Sequence, residues 1–440
     1  MEGTIESGIP WLPAKRKRYV FRNANLVDPV AGVVRPNVTV AMSDGAFEDA
    51  EHISGKADSE TVELDLGGRY VCPGLIDCHV HLQYVPGSKT LGQMKKLPEE
   101  VRALRSPHLC GKMLERGFTT VRDCGGSSVN LKNAIKEGVV KGPRLFIAGH
   151  QLSQTGGHGD LRDESDSSLC CAGDVFGPGR ICDGVADCMR IARDELRRGA
   201  DFIKILGSGG ISSSTDALTM VQFSPEEIQA MVSVAKQSGT YVTSHAYTPA
   251  SIRNAIDNGA MGIEHGNFLD EETARTMAAK GVFLTPTLTT YEIMNTPPFS
   301  NFLPEESKRK NEEVIKAGQD SLRIADKAGV TMCYGSDLLA SMIQFQTYEF
   351  VLRSKVLSAA KVLQAATVNG AKMLRHEGSL GQIKPGYLAD MLILNVNPLE
   401  DITVLDRPNK HLMAVLKEGR VVVSRWSKLP EERGELAQIE

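Results

Sequence analysis

The sequence predicts an α/β chain: a (β/α)8 TIM barrel carrying a small β-sandwich module formed by both termini. Three observations carry that prediction. Eight short β-like segments alternate with helix-like ones through the middle of the chain. The two flanks are both β-rich, which divides the chain into a module of 1–70 with 378–440 and a barrel of 71–377. Histidines, a lysine and an aspartate sit at the ends of several of the eight segments, where barrels of this kind collect their active-site residues.

The amino-terminal flank holds Tyr19 to Leu26, Val38 to Met42 and Thr61 to Leu66, separated by Gly, Pro, Asn and Asp. Asp390 to Leu394 and Leu412 to Val423 have the same character near the other end. Barrel strand one is the run VCPGLIDCHVHL, Val71 to Leu82, entered through Pro73-Gly74. Thr119 to Arg122, Leu145 to Ala148, Phe202 to Leu206 and Tyr241 to Thr243 follow, then Gly262 to Glu264, Val282 to Leu284 and Thr331 to Tyr334. The helices between them are punctuated. Ser224-Pro225-Glu226-Glu227 is a capping box with proline at the first helical position, opening a helix through Lys236 that Gly239 stops. Thr248-Pro249 and Asp270 open the next two. A doubly wound open sheet is the rival arrangement, but no GxGxxG follows an early strand. Thr155 to Gly179 is rich in Gly, Asp and Ser and reads as a long loop on the catalytic face.

Composition excludes several function classes. Apolar residues make up 41% and charged residues 24%, as in an ordinary globular protein, and the net charge is −4. Nucleic acid and anionic membrane are therefore not the expected partners. The basic run Lys15-Arg16-Lys17-Arg18 reads as a solvated tail rather than a nuclear signal or a membrane contact. No apolar run approaches the ~20 residues of a spanning helix, and MEGTIESGIP lacks the pattern of a secretory signal. Nine scattered cysteines without a CxxC read as reduced thiols in a cytoplasmic protein.

His79 and His81 stand two apart, so on a strand both imidazoles face one point, as a metal site requires. Lys204 in FIKILGSGG, His245 in YVTSHAY, His265 in GIEHG and Asp337 in CYGSD lie at later strand ends. Taken singly, each has a plainer reading: a snorkelling lysine, a packed core histidine, a helix-capping aspartate. Together they converge on one place in a barrel, which chance placement does not explain.

That order of ligand-type residues resembles the binuclear, carboxylated-lysine branch of the amidohydrolase superfamily. The segments LSQTGGHGD, FIKILGSGGISS, FSPEE and IEHGNFLDEE bring it nearest to the ochratoxinase and prolidase-like metallocarboxypeptidase group, and GSLGQIKPGYLADMLIL resembles the superfamily's return into its β-module. The resemblance implies that His79, His81 and Asp337 bind one divalent metal ion and His245 and His265 a second. Lys204, as N6-carboxylysine, would bridge them. Zinc is the expected ion, with manganese or cobalt as alternatives. Two ions ~3.5–4 Å apart would turn a bridging water into hydroxide, with Asp337 passing its proton to the leaving amine.

The implied activity is hydrolysis of an amide or peptide bond in N-acyl amino acids or dipeptides with a free C-terminal carboxylate, ochratoxin-like amides included. His158 and Tyr247 are candidate contacts for the substrate carbonyl or carboxylate, and Gly209-Gly210 for close backbone approach to a ligand. Arg122 and Asp123 are either an ion pair or substrate contacts. A homo-oligomer is expected by analogy. Two other readings stay open: a different bond (carbamate, urea, lactone or cyclic amide) on the same centre, or a non-catalytic dihydropyrimidinase-like scaffold. Six retained ligand-type residues argue against the scaffold.

Overall fold

A computed structural model describes residues 11, 15–49, 61–160, 162, 178–213 and 216–432. Five strands come first: β1 (Arg18–Asp28), β2 (Val33–Ser43), β3 (Ala46–Glu48), β4 (Thr61–Asp65) and β5 (Tyr70–Pro73). The chain then enters an alternating body. Its first half holds β6 (Leu75–Val80), α1 (Leu91–Lys95), α2 (Glu99–Glu115), β7 (Phe118–Asp123), α3 (Val129–Glu137), β8 (Arg144–Ile147) and β9 (Gln151–Ser153). β10 (Gly179–Ile181), α4 (Val185–Arg197), β11 (Ile203–Leu206), α5 (Pro225–Gln237), β12 (Val242–Ala246) and α6 (Pro249–Asp257) follow. β13 (Gly262–His265), α7 (Glu271–Lys280), β14 (Phe283–Thr285), α8 (Leu288–Met294) and α9 (Glu305–Ala328) lead to further short helices. The return is β15 (Met391–Leu394), β16 (Leu412–Lys417) and β17 (Arg420–Ser424).

The body is a TIM-barrel-like α/β fold. β6, β7 and β8 pair in parallel, as do β11, β12, β13 and β14. Residues 331–334 complete the eight segments. The Cys333 amide donates to Leu284, and Tyr334 accepts from the Cys78 amide of β6, each at 2.8 Å. Between β8 and β11, the Asp201 amide donates to Ile147 at 2.7 Å and Leu152 of β9 pairs with Ile205. The helix starts follow the sequence chemistry: Ser224 and Thr248 each form a reciprocal capping box, and Asp270 caps α7.

Both termini build the second unit, in the strand order β17-β16-β15-β5-β1-β2-β3 with β4 on β1. Its described strands form one mixed, hydrogen-bonded set. It encloses its own core, with Phe21, Met42, Val71, Met391 and Leu416 fully buried. β5 belongs to this sheet, pairing with β1 and β15. The transition comes at Gly74, where an added Cβ would lie 2.2 Å from Thr119 Oγ1, so only glycine lets the chain pass from sheet to barrel. The basic run is not a free tail. Arg16 pairs with Glu418 at 3.2 Å and Arg18 with Glu48 at 2.9 Å, which fastens it to the sheet. The seven described cysteines are buried free thiols; Cys170 and Cys171, with residues 161 and 163–177 of the long loop, lie outside the described residues. No helix among the described residues is long and apolar enough to cross a membrane.

Candidate metal centre

His79, His81, Lys204, His245, His265 and Asp337 all line one cleft at the carboxyl ends of the barrel strands. Period-two geometry puts His79 and His81 on one face of the first strand, as their spacing predicts. Asp337 lies beside both, its Oδ1 3.4 Å from His79 Nε2 and 3.3 Å from His81 Nε2. The His265 ring is centred 5.0 Å from that of His79 and 4.5 Å from that of His245. His79, His265 and Asp337 offer donor atoms within 4.8 Å of one another. His265 and Asp337 have φ of 73° and 51°, the left-handed region that costs side-chain-bearing residues energy.

Each histidine has one ring nitrogen engaged from behind, which fixes its orientation and leaves the other for the cleft. His79 Nδ1 is 2.8 Å from the buried Glu264 carboxylate. His81 Nδ1 meets the Gly125 carbonyl at 3.0 Å, and His245 Nε2 the Gly209 carbonyl at 3.3 Å. His265 Nδ1 contacts Thr287 Oγ1 at 2.8 Å and the Tyr291 hydroxyl at 2.9 Å.

Electrostatics favour neutral imidazole donors. Burial, reinforced by the Lys204 charge, takes His79 down to about 4. Burial also holds His245 and His265 well below the usual histidine range, helped by His158 and Lys204 on the first and by His245 and His79 on the second. His81 goes the other way: burial opposes its charge, but the bond and charge of Asp337 outweigh it. Asp337 is held low by His79, His81 and Lys204 against the opposing effect of burial. Lys204 is 1% exposed and has no hydrogen-bond or ion-pair partner among the described residues. A buried amine without a partner is unfavourable as it stands. Neutral imidazoles, a carboxylate and this amine form a donor set that fits two divalent ions and a carboxylated lysine.

The other candidates divide. His158 reaches the cleft, stacked on His245 at 4.8 Å, with Nδ1 3.2 Å from Asp216 and Nε2 3.2 Å from Ser212 Oγ. Tyr247 lines the cleft as well, its hydroxyl 2.9 Å from that of Tyr291. Gly210 lies against His158. A Cβ there would lie 2.2 Å from His158 Cε1, so the missing side chain makes room for that ring. Arg122 does not pair with Asp123 but with Glu264. Asp123 accepts from the Leu82 amide at 2.7 Å and the Gly125 amide at 3.0 Å, and so places the carbonyl behind His81.

Sequence reasoning passed over Glu264, Asp77, Thr287 and Tyr291. Asp77 was within reach of the same period-two rule, one step back from His79. It accepts from the His79 amide at 3.0 Å and from Ser336 Oγ at 2.6 Å, joining strand one to the segment that carries Asp337. Glu264 was hidden because adjacent strand residues face opposite ways; the positive φ of His265 lets both turn inward.

The family follows from the fold and this site together. The chain belongs to the amidohydrolase family, whose model matches residues 70–422, and it is a hydrolase. Within the superfamily it falls in the ochratoxinase and prolidase-like group. It is 30% identical to an ochratoxinase of Aspergillus niger over 90% of this chain and 85% of that one. A prolidase crystallised with N-methylphosphonate-L-proline superposes with a TM-score of 0.89 at 38% identity, covering 93% of this chain and 100% of the other. A Xaa-Pro dipeptidase with bound methionine superposes with a TM-score of 0.81 at 31% identity, over 91% and 98% of the two chains.

Proposed function

We propose that the protein is a binuclear zinc hydrolase that cleaves the amide bond of N-acyl amino acids or dipeptides bearing a free carboxylate. One observation carries the reading: four imidazoles, a carboxylate and a buried lysine amine without a partner among the described residues converge on one cleft. The ochratoxinase, prolidase and dipeptidase relatives support the bond type.

His79, His81 and Asp337 would hold one ion, His245 and His265 the other, and carboxylated Lys204 both. When bound, the ions would supply Lewis-acid polarisation of the scissile carbonyl and acidify water near neutrality. The chain's own residues do the rest. Glu264, Gly125, Gly209 and the Thr287–Tyr291 pair hold the four rings in place before substrate arrives. Asp337, low in pKa and between two imidazoles, accepts the proton of the attacking water and returns it to the departing nitrogen. His158, held by Asp216 and Ser212, would contact the substrate carbonyl, and Tyr247 bounds the cleft as well.

The test is release of free amino acid from N-acyl amino acids, dipeptides and ochratoxin A by zinc-loaded protein with bicarbonate, beside a metal count and Lys204→Ala. Two ions per chain and turnover lost in the variant are expected. Two ions without turnover would redirect the reading to a different scissile bond, and absence of bound metal would refute a metallohydrolase.

A further inference from the structure

His158 owes its place to the stretch that follows β11. Asp216 Oδ2 holds its Nδ1 and Ser212 Oγ its Nε2, each at 3.2 Å, and Gly210 makes room for the ring. The same stretch begins behind the metal centre, where the Gly209 carbonyl meets His245. Its described residues from Gly209 to Asp216 lie outside any helix or strand, so no ladder satisfies their carbonyls.

Lys310 of α9 meets that need. Its Nζ donates to the Gly210 carbonyl at 3.2 Å, to that of Ser213 at 2.9 Å and to that of Asp216. Asp216 Oδ1 lies 3.8 Å from the same nitrogen. An ammonium has three protons, and three carbonyls receive them. The side chain is only 20% exposed, so it is drawn inward to these bonds instead of reaching for solvent. Converging carbonyl oxygens repel one another unless a cation sits among them, and such rings coordinate bare monovalent ions. Burial would raise the Asp216 carboxyl, but His158 and Lys310 hold it below the usual carboxylate range. The helix that delivers the amine is anchored elsewhere. Asn311 Nδ2 donates to the Tyr291 carbonyl at 2.9 Å, and Ser321 Oγ to that of Gly266 at 2.7 Å.

We propose that Lys310 is a positioning residue, a built-in monovalent cation around which Gly210, Ser213 and Asp216 gather so that Asp216 and Ser212 aim His158 into the cleft. It touches no reacting atom. The proposal rests on the amide-hydrolase reading only for the part His158 plays in turnover; the gathering of the backbone around the amine is independent of it. Truncating the lysine leaves three carbonyls around a space that a free ammonium ion fits, donating as the side chain does.

The experiment compares zinc-loaded parent, Lys310→Ala and Lys310→Met by hydrogen–deuterium exchange and by kcat on the substrate that the panel above identifies. The amides to follow are those of Gly209 and Gly210, which donate to the Met220 carbonyl and the Asp216 carboxylate. In Lys310→Ala their exchange is expected to quicken by about 10- to 100-fold, and kcat to fall by about the same factor with the metal count unchanged. Ammonium chloride restores both in Lys310→Ala but not in Lys310→Met, whose side chain occupies the space. Tetramethylammonium chloride at equal ionic strength, lacking N–H donors, restores neither. Unchanged exchange and kcat in Lys310→Ala overturn the proposal. So do losses that ammonium leaves untouched, which mark a packing role, and recovery with both salts, which marks an ionic-strength effect. Parent protein that turns over nothing on the panel sinks the amide-hydrolase reading, and exchange with its ammonium rescue then decides Lys310 alone.

Discussion

Replacing Glu264 by glutamine tests the arrangement behind His79. Glu264 is fully buried and serves three donors: Oε1 takes Arg122 and the Thr243 hydroxyl, and Oε2 takes His79 Nδ1. Arg122 is 0% exposed, and its other bond is from Nε to the Cys78 carbonyl at 2.6 Å. Its Nη1 has no hydrogen-bond partner among the described residues, and the guanidinium lies 4.9 Å from the Phe202 ring centre. Glutamine keeps the shape and removes the charge that offsets this cation, at a cost of about 3–5 kcal/mol. It also has one carbonyl where glutamate has two acceptors. With that oxygen toward Arg122, the amide NH2 faces His79 Nδ1, and the ring must shift its proton to the nitrogen meant for metal. Zinc affinity is expected to fall by about 10- to 100-fold. Adding Arg122→Met removes the stranded cation, so stability recovers while the metal defect persists. Urea unfolding of metal-free protein and zinc competition against a chelator measure the two effects. A Glu264→Gln protein within about 1 kcal/mol of the parent, binding zinc equally well, would refute the reasoning.

Three further expectations follow from named contacts. Gly210→Ala drives a Cβ into the His158 ring, and kcat/KM is expected to drop by about 100-fold with metal content unchanged; steady-state kinetics beside a metal count decides it. Tyr291→Phe removes a hydroxyl shared by His265, Thr287 and Tyr247, and should weaken one of two zinc ions by about 10-fold in a chelator titration. In metal-free protein His79 titrates at about 4 against 6.5 when unfolded, so between those values the unfolded chain binds a proton that the folded chain refuses. Stability should rise with pH across that window and be fully present above it; urea midpoints at pH 4.5, 5.5 and 6.5 would show the slope, flattened in His79→Asn.

The sequence by itself determined which residues could carry chemistry and in what order the chain delivers them. Local rules suffice for that. Alternation places His79 and His81 on one face, the Ser224 and Thr248 boxes start helices where their side chains can cap, and eight strand-like segments separated by helices admit few architectures. Tertiary structure decided what stands behind and between those residues. Glu264 reaches His79 across 185 positions of sequence, and no local pattern records such a pairing. The positive φ of His265 and Asp337 breaks the alternation on which strand reading depends, because packing around the site over-determines a backbone that local preference resists. The loop that carries His158 packs against Gly210, a juxtaposition that no local pattern records. Pairing of β5 with β1 and β15 is likewise a tertiary outcome, since strand membership is settled by hydrogen-bond partners and not by composition.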